Sequence, residues 1–272
     1  MATILKKQFK QFNNYKTINS LQNNQIKLLE KLNSKKYRQE FKQFTVENLT
    51  IILDALKDGY DFQSLFVTEE FASKHEEKLA FLQKNSNSQN FYLIDSKLNK
   101  AYSNLSTPSG ITAIYDIKEK KLDKKSVIYL NGINDPGNLG SIMRIALAFD
   151  FLNLVLDKNC VDIYNPKVIN ASKDAIFKLN IIEDKSGKWF KNNKLPIYST
   201  SSRIGVNLSE LKPEKSYCLV LGNESHGVSP EIIKLSKESI KIEISNKIES
   251  LNVATVAAIL FYELKRKSIN TD

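Results

Sequence analysis

The sequence of 272 residues has few of the residue types that several common classes of functional site require. Its two cysteines, Cys160 and Cys218, lie 58 positions apart in apolar surroundings. This pattern predicts two core thiols and neither a disulfide framework nor a cysteine metal site. The two histidines, His75 and His226, have no partner at ligand spacing, so a histidine-based metal centre is not expected either. We therefore expect no metal cofactor.

Long apolar runs are also missing. The longest, residues 253–262, falls well short of the roughly 20 residues that a membrane-spanning helix needs. The lysine-rich N-terminus has no apolar core followed by a cleavage site. The sequence also lacks the G-x-G-x-x-G fingerprint and the P-loop that are typical of common nucleotide cofactors. We expect a soluble, cytoplasmic protein that has no contact with a membrane.

Hydrophobic residues make up 42% of the chain, which is enough to fill a core, and the length predicts two domains. The formal charge is +10, and residues 1–45 hold most of it, with ten Lys or Arg residues against two acids. Five aromatic residues are interleaved with these charges: Phe9, Phe12, Tyr15, Tyr37 and Phe41. Such a segment is suited to neutralising phosphates while bases stack on its rings, which favours RNA binding. A solvated, lysine-rich helix face and an anionic membrane contact are the alternatives.

The pattern of apolar residues predicts two α/β domains, residues 1–107 and 108–272. In the first, we expect helices at 24–32, 47–58 and 69–83 and strands near 45, at 65–68 and at 91–94. In the second, strand-like runs alternate with helical stretches, which predicts a mainly parallel sheet covered by helices. These runs are residues 127–130, 153–156, 176–182, 196–199, 217–221 and 240–244. Residues 251–267 are expected to form a buried final helix.

Polar residues that a core does not need are concentrated in three loops after strands. In the first loop Asp135-Pro136-Gly137 interrupts regular secondary structure, and we expect Asn138 to cap the next helix. Arg144 then lies in an otherwise apolar stretch. Because the chain has four arginines against 36 lysines, this position indicates a need for the planar guanidinium. A structural Arg paired with a carboxylate is the alternative.

The second and third loops precede two further helices. The second contains Gly222-Asn223-Glu224, turns again at Gly227, and leads to a helix with Ser229 as its expected cap. His226 has no Ser or Cys partner there, so nucleophilic hydrolysis is not expected. In the third loop we expect Ser250 to cap the final helix, while Asn252 offers both a donor and an acceptor.

Together the three loops resemble the motifs of the SpoU/TrmH family of ribose 2′-O-methyltransferases, within the SPOUT class. The motifs are INDPGNLGSIMR, LVLGNESHGVS and SLNVATVAA, and the resemblance extends over about residues 126–267. The N-terminal part is similar to the ribosomal-protein-like substrate-binding domain of many members, in KKYRQEFKQFTVEN and STPSGITAI.

The resemblance implies that the C-terminal domain binds S-adenosylmethionine in a deep trefoil knot and that the protein is a homodimer. It assigns the cofactor to Thr200, Leu221, Gly222, Asn223, Gly227, Ile242, Ile244 and Leu251. It assigns catalysis to Asn138, Arg144, Glu224, Ser250 and Asn252. Because a guanidinium stays protonated in proteins, we expect Arg144 to hold a phosphate or the developing alkoxide rather than to act as a base.

The separate substrate domain favours ribosomal RNA over tRNA as the substrate. A non-catalytic RNA-binding or ribosome-assembly protein that keeps the knot is the alternative from another class. Two departures from the family pattern replace Gly by Asn, at Asn48 and at Asn246. Pro and Met of the third motif become Glu243 and Ile244. At Asn246 we expect the left-handed backbone that Gly would supply.

Overall fold

The computed structural model describes residues 15–269, which form two α/β units. The first unit ends at Lys118 and also includes Tyr164–Pro166, and the second contains the remaining residues. The division therefore lies after residue 118 rather than after residue 107. The difference arises because strand Ile111–Asp116 pairs with two strands of the first sheet and belongs to it.

The first unit has a five-stranded mixed sheet in the order β1-β4-β3-β5-β2. Its strands are β1 Lys16–Ile18, β2 Gln43–Val46, β3 Ser64–Thr68, β4 Phe91–Ile94 and β5 Ile111–Asp116. Its helices are α1 Asn24–Leu32, α2 Lys35–Phe41, α3 Leu49–Lys57, α4 Glu69–Lys74, α5 Glu76–Asn85 and α6 Ser96–Tyr102. β5 is antiparallel to both of its neighbours, and the other pairs are parallel.

Two local features of this unit differ from the expectations. The single helix expected at 69–83 is two helices, because His75 ends α4 and precedes α5 with a non-helical backbone. Asn48 caps α3, and its side-chain oxygen accepts hydrogen bonds from the N–H groups of Thr50 and Ile51. Its φ is −150°, an extended backbone, so Asn replaces Gly here without any need for a left-handed backbone.

The second unit has a seven-stranded sheet in the order β10-β12-β9-β11-β6-β7-β8, and every pair is parallel. Its strands are β6 Val127–Asn131, β7 Asn153–Asp157, β8 Asn180–Asp184, β9 Ile197–Thr200, β10 Val206–Asn207, β11 Cys218–Gly222 and β12 Glu238–Lys241. Its helices are α7 Pro136–Ala148, α8 Pro166–Ser172, α9 Ala175–Lys178, α10 Lys188–Asn192, α11 Pro230–Leu235 and α12 Val253–Ile269.

The parallel sheet confirms the expected architecture, while two of the expected strand boundaries are wrong and one short strand was not expected. The strand expected at 176–182 begins as the helix α9, and its strand part is β8. β12 ends at Lys241, so residues 242–252 form a loop. The short strand β10, which no apolar run indicates, extends the sheet beyond β12.

The middle strands of this sheet are buried, as their continuous apolar runs predict. Burial raises the pKa of the Cys218 thiol to about 12, and burial followed by the nearby Asp157 carboxylate raises that of Cys160 to about 12. α7 and α12 pack against each other, and α12 is buried on one face only, since Tyr262 is exposed. Among the described residues, no helix is long and apolar enough to cross a membrane.

Candidate active site

Loops that follow β6, β9, β11 and β12 meet at one edge of the second sheet. They do so because these strands are neighbours and parallel, which brings their carboxyl ends to the same edge, where open α/β sheets bind ligands. A cavity of about 380 Å³ lies among the loops after β9, β11 and β12 and the start of α12. Its apolar lining includes Ile242, Ile244 and Leu251.

The loop after β11 is closed by two backbone hydrogen bonds. The N–H of Asn223 donates to the Gly227 carbonyl at 3.1 Å, and the N–H of Gly227 donates to the Asn223 carbonyl at 2.8 Å. Gly227 has a φ of +68°, which favours glycine. A Cβ on Gly222 would lie 2.2 Å from backbone atoms of Gly227 and Val228. The loop thus passes so close to the strand end that only Gly fits at position 222.

The side chain of Asn223 joins this loop to the one after β6. Its Nδ2 donates to the Gly132 carbonyl at 2.8 Å, and its Oδ1 accepts from the N–H groups of Ser225 and His226 at 2.8 and 3.3 Å. The amide therefore holds the two loops together through both its nitrogen and its oxygen. His226 is exposed and lines the cavity.

Asn131, at the end of β6, has a similar positioning role. Its Nδ2 donates to Asp157 Oδ2 at 2.8 Å, and its Oδ1 accepts from the N–H of Ser229 at 2.8 Å. The other Asp157 oxygen accepts from the N–H of Gly132 at 3.0 Å. The sequence did not predict this role for Asn131. The available signal was an Asn-Gly pair at the end of a buried strand.

Three predicted catalytic residues, from the start of α7 and from the loops after β11 and β12, form a continuous hydrogen-bonded chain, which we call the Asn–Asn–Glu chain. Asn252 Nδ2 donates to Asn138 Oδ1 at 2.9 Å, and Asn138 Nδ2 donates to Glu224 Oε1 at 2.6 Å. A carboxylate only accepts, which fixes the orientation of the Asn138 amide. The order of donors along the chain is therefore determined.

Two of the expected helix caps are wrong. Asp135, not Asn138, caps α7, and its carboxylate accepts from the N–H of Asn138 at 2.7 Å. Asn252, not Ser250, precedes α12 and accepts from the N–H of Ala254 at 2.9 Å. The Asn138 side chain is thereby left for the Asn–Asn–Glu chain, while Ser250 lines the cavity. Ser229 does precede α11, but it makes no side-chain cap bond.

Arg144 is exposed on α7 and has no hydrogen bond or ion pair with any residue from 15 to 269. The alternative of a structural Arg paired with a carboxylate is therefore not supported. By contrast, Arg38 donates to the Leu32 carbonyl, and Arg266 pairs with Glu263.

The fourth arginine, Arg203, lines the cavity in the loop after β9, together with Ser201 and Ser202. Its guanidinium also has no partner within the described part of the chain. Sequence reasoning missed Arg203, although the scarcity of arginine that drew attention to Arg144 applies equally to it.

The structure brings most of the predicted site residues together. Those that line the cavity are Thr200, Gly222, Asn223, Gly227, Ile242, Ile244, Leu251, Glu224 and Ser250. Leu221 is the exception among the predicted cofactor residues, because it is fully buried within β11. Asn246 does not have the left-handed backbone expected of it. In residues 15–269 no three His, Cys, Asp or Glu side chains are grouped so that they could hold a metal ion.

Comparison with protein families decides the identity of this fold. The family model described as the SpoU rRNA Methylase family matches residues 125–262, which is half of the chain. The chain belongs to the SpoU rRNA methylase family. The model of the MRM3-like substrate binding domain matches residues 23–113. Membership confirms the predicted family, the SPOUT fold and the predicted enzyme class, an RNA ribose 2′-O-methyltransferase.

Individual SpoU relatives agree with this result over nearly the whole chain. The 23S rRNA (guanosine(2553)-2′-O)-methyltransferase RlmP of Bacillus subtilis is 27% identical over 92% of this chain and 99% of its own length. A TrmH-family protein from Porphyromonas gingivalis is 28% identical, with a TM-score of 0.78 over 91% of this chain and 99% of that one. The SpoU methyltransferase AviRb from Streptomyces viridochromogenes, solved with AdoMet, is 20% identical, with a TM-score of 0.80 over 91% and 99%.

Proposed function

We propose that this protein transfers the methyl group of S-adenosylmethionine to a ribose 2′-hydroxyl of ribosomal RNA. The observation that carries the proposal is the Asn–Asn–Glu chain next to the cavity, because Glu224 belongs to both. This group transfer requires two parts: a site for a small ligand and a polar group directed at the second reactant. We expect the reaction to take place in the cytoplasm, where bacterial ribosomal RNA is found.

The cavity has the character that an adenosyl ligand needs. Its volume of about 380 Å³ is in the range of small-molecule sites, and it combines apolar side chains with backbone polar groups at strand ends. S-Adenosylmethionine supplies an electrophilic methyl group on its sulfonium. The bound AdoMet in the AviRb structure, which has the same fold, supports this assignment.

Methyl transfer to a hydroxyl is an in-line displacement, so positioning of the two reactants supplies most of the acceleration. Asn138 holds one oxygen of Glu224, and Glu224 Oε2 has no hydrogen bond with any residue from 15 to 269. We assign to this free oxygen the hydrogen bond from the ribose hydroxyl. The guanidinium of Arg144 supplies a fixed positive charge for an RNA phosphate or for the developing alkoxide.

We also assign RNA binding to the N-terminal domain, on a cluster that we call the α1–α2 patch: Lys31, Lys36, Tyr37 and Phe41. Lys31 Nζ lies 5.5 Å from the Tyr37 ring centroid and 5.7 Å from that of Phe41. The two rings are stacked at 5.9 Å, and Phe41 is exposed. Positive charge beside an exposed ring suits phosphates and unpaired bases.

The other aromatic residues of the expected basic-aromatic segment are Tyr15, Phe9 and Phe12. Tyr15 packs against Phe91, with ring centroids 5.3 Å apart, and so contributes to packing within the first unit. Phe9 and Phe12 lie outside the described residues.

The similarity to RlmP over the full length makes 23S rRNA the first RNA to test. We also propose a homodimer, as the family resemblance implies. Tyr262, an exposed aromatic residue on α12 that packs against Phe149 with ring centroids 6.1 Å apart, supports an interface there.

The deciding experiment is incubation of the purified protein with labelled S-adenosylmethionine and separate unmodified rRNA and tRNA pools. Alkali-resistant linkages, which report 2′-O-methylation, are then mapped. We expect one resistant position in rRNA. Transfer to tRNA alone would overturn the substrate, and cofactor binding without any transfer would favour a non-catalytic RNA-binding protein.

The role of Arg144 is tested by Arg144→Lys, which keeps the charge but removes the guanidinium fork. We expect the fold and cofactor binding to be retained and the methylation rate to fall about 100-fold. Arg266→Lys is the matched control, because Arg266 is exposed and pairs with Glu263 on its own helix. Turnover of Arg144→Lys equal to that of the control would show that the guanidinium is not needed.

A further inference from the structure

A second, larger groove lies at the opposite edge of the parallel sheet from the active site. It has a volume of about 880 Å³ and is bordered by Ile197, which begins β9, by Ser216, which shortly precedes β11, and by Lys237, which directly precedes β12. Strands of four or five residues separate the two edges by about 15 Å. We call it the amino-edge groove, and the catalytic site does not use it.

The charge of the amino-edge groove is strongly positive. Its charged lining residues are Lys191, Lys194, Lys215, Lys237 and Glu214, all of them exposed. Lys237 Nζ pairs with Glu214 Oε1 at 2.6 Å, which neutralises both. The side chains of the other three lysines have no hydrogen bond or ion pair within residues 15–269. The groove therefore presents three uncompensated positive charges.

Apolar surface lies between these charges. Phe190, Leu195, Pro196 and Leu235 also line the groove, and Leu235 is 64% exposed. Phe190 rests on the core through Tyr129, with ring centroids 4.8 Å apart, which holds it in place. Lysines flanking fixed apolar and aromatic surface are the combination that binds single-stranded nucleic acid, whose phosphates and base faces need both.

We propose that the amino-edge groove binds a single-stranded segment of the substrate RNA, several nucleotides away from the ribose that is methylated. This proposal rests on the proposed function, since it concerns the same RNA. Lys191, Lys194 and Lys215 neutralise phosphates of this segment, and Phe190 and Leu235 contact its bases. The groove adds affinity for long RNA and takes no part in methyl transfer.

The test uses the full chain with both Lys191 and Lys194 changed to Glu, and a 30-nucleotide poly(U) as the probe. We expect the affinity to fall about tenfold at low salt, and the slope of log K against log salt to fall by about 1.4, for two lost phosphate contacts on a single strand. S-Adenosylmethionine affinity and the melting temperature should not change, because both lysines are exposed.

The matched control changes Lys78 and Lys84 to Glu. These two lysines are exposed on α5 of the first unit, and the change alters the net charge by the same amount. An equal loss of poly(U) affinity in both double variants would mean that only net charge matters, and it would overturn the proposal. Unchanged affinity in the Lys191 and Lys194 variant would overturn it as well.

A second variant tests the contact with bases. Leu235→Ser should weaken poly(U) binding several-fold without changing the salt slope, because no charge is removed. If the Lys191 and Lys194 variant loses as much affinity for a 30-base-pair RNA duplex as for poly(U), the preference for a single strand is wrong. These binding measurements need no methyl transfer, so groove-dependent binding without methylation of any RNA would contradict the proposed function alone.

Discussion

At the scale of single residues, Asn138 connects the loops of the active site because its amide is both a donor and an acceptor. Asn138→Asp would place a second carboxylate at the 2.6 Å contact with Glu224, where neither group can donate. We expect the methylation rate to fall about 100-fold, with a small change in stability because the site is exposed. Single-turnover rates and thermal unfolding measure the two effects.

The control for charge is Asn24→Asp. Asn24 is exposed at the first residue of α1, and its side chain has no hydrogen bond with the described residues. This variant should methylate at the wild-type rate. If Asn138→Asp did so too, the Asn–Asn–Glu chain would have no catalytic role.

Gly222 tests the cofactor site. A Cβ there would meet backbone at 2.2 Å, so Gly222→Ala must displace the loop after β11, at a cost of about 1–3 kcal/mol. We expect S-adenosylmethionine binding to be lost or greatly weakened in calorimetric titration. Gly59→Ala is the comparison: φ there is +82° with open space around it, so it should cost about 1 kcal/mol of stability and leave cofactor affinity unchanged.

The sequence predicted most of the residues that line the cavity or form the Asn–Asn–Glu chain, but it did not predict their connections. Asn138 and Asn252 are 114 positions apart, and only the folded sheet shows that they meet. Asn138 and Ser250 were both expected to be caps because each lies near the start of a helix. Which nearby side chain reaches the free N–H groups depends on the backbone conformation there, which the sequence does not show. Arg203 lies in a loop that no motif marked.

At the scale of secondary-structure elements, the orientation of α7 depends on its N-cap. Asp135→Ala removes the 2.7 Å hydrogen bond from the N–H of Asn138 to the Asp135 carboxylate. It should lower the free energy of unfolding by about 1 kcal/mol. Because the bonded N–H belongs to Asn138, we also expect the methylation rate to fall several-fold. Asp95→Ala is the matched control, because the Asp95 carboxylate caps α6 in the first unit by accepting a hydrogen bond of the same length, 2.7 Å, from the N–H of Leu98.

The two variants should lose similar stability in thermal unfolding, about 2–4 °C in melting temperature. Only Asp135→Ala should lose activity. Equal activities would mean that the first turn of α7 does not position Asn138.

Elements with long apolar runs were predictable, and short ones were not. β6, β7, β9 and β11 lie close to their expected positions because a buried parallel strand needs a continuous apolar sequence. β10 has two residues and exists because it pairs with β12. α9 replaces the beginning of an expected strand because an apolar run of this length suits a buried helix equally well.

At the scale of the whole molecule, the formal charge of +10 governs association with RNA. We expect the affinity for 23S rRNA to fall at least 100-fold, about 3 kcal/mol, between 50 and 200 mM salt, because each phosphate contact releases counterions. S-Adenosylmethionine affinity should hardly change over this range. Filter binding and calorimetry measure the two affinities, and a flat salt dependence for rRNA would contradict an electrostatic mode of binding.

The parallel pairing of the second sheet also determines which parts of the protein can fold first during synthesis. β6 pairs with β11, and Val127 lies opposite Cys218 in that pair. β6 therefore cannot gain this neighbour until residue 218 has been synthesised, and such distant pairing is slow to nucleate. The first sheet is complete once Asp116 has been made. During synthesis the α1–α2 patch can therefore form well before Asn252 leaves the ribosome. The surface proposed to bind RNA can therefore fold before the catalytic residues are brought together.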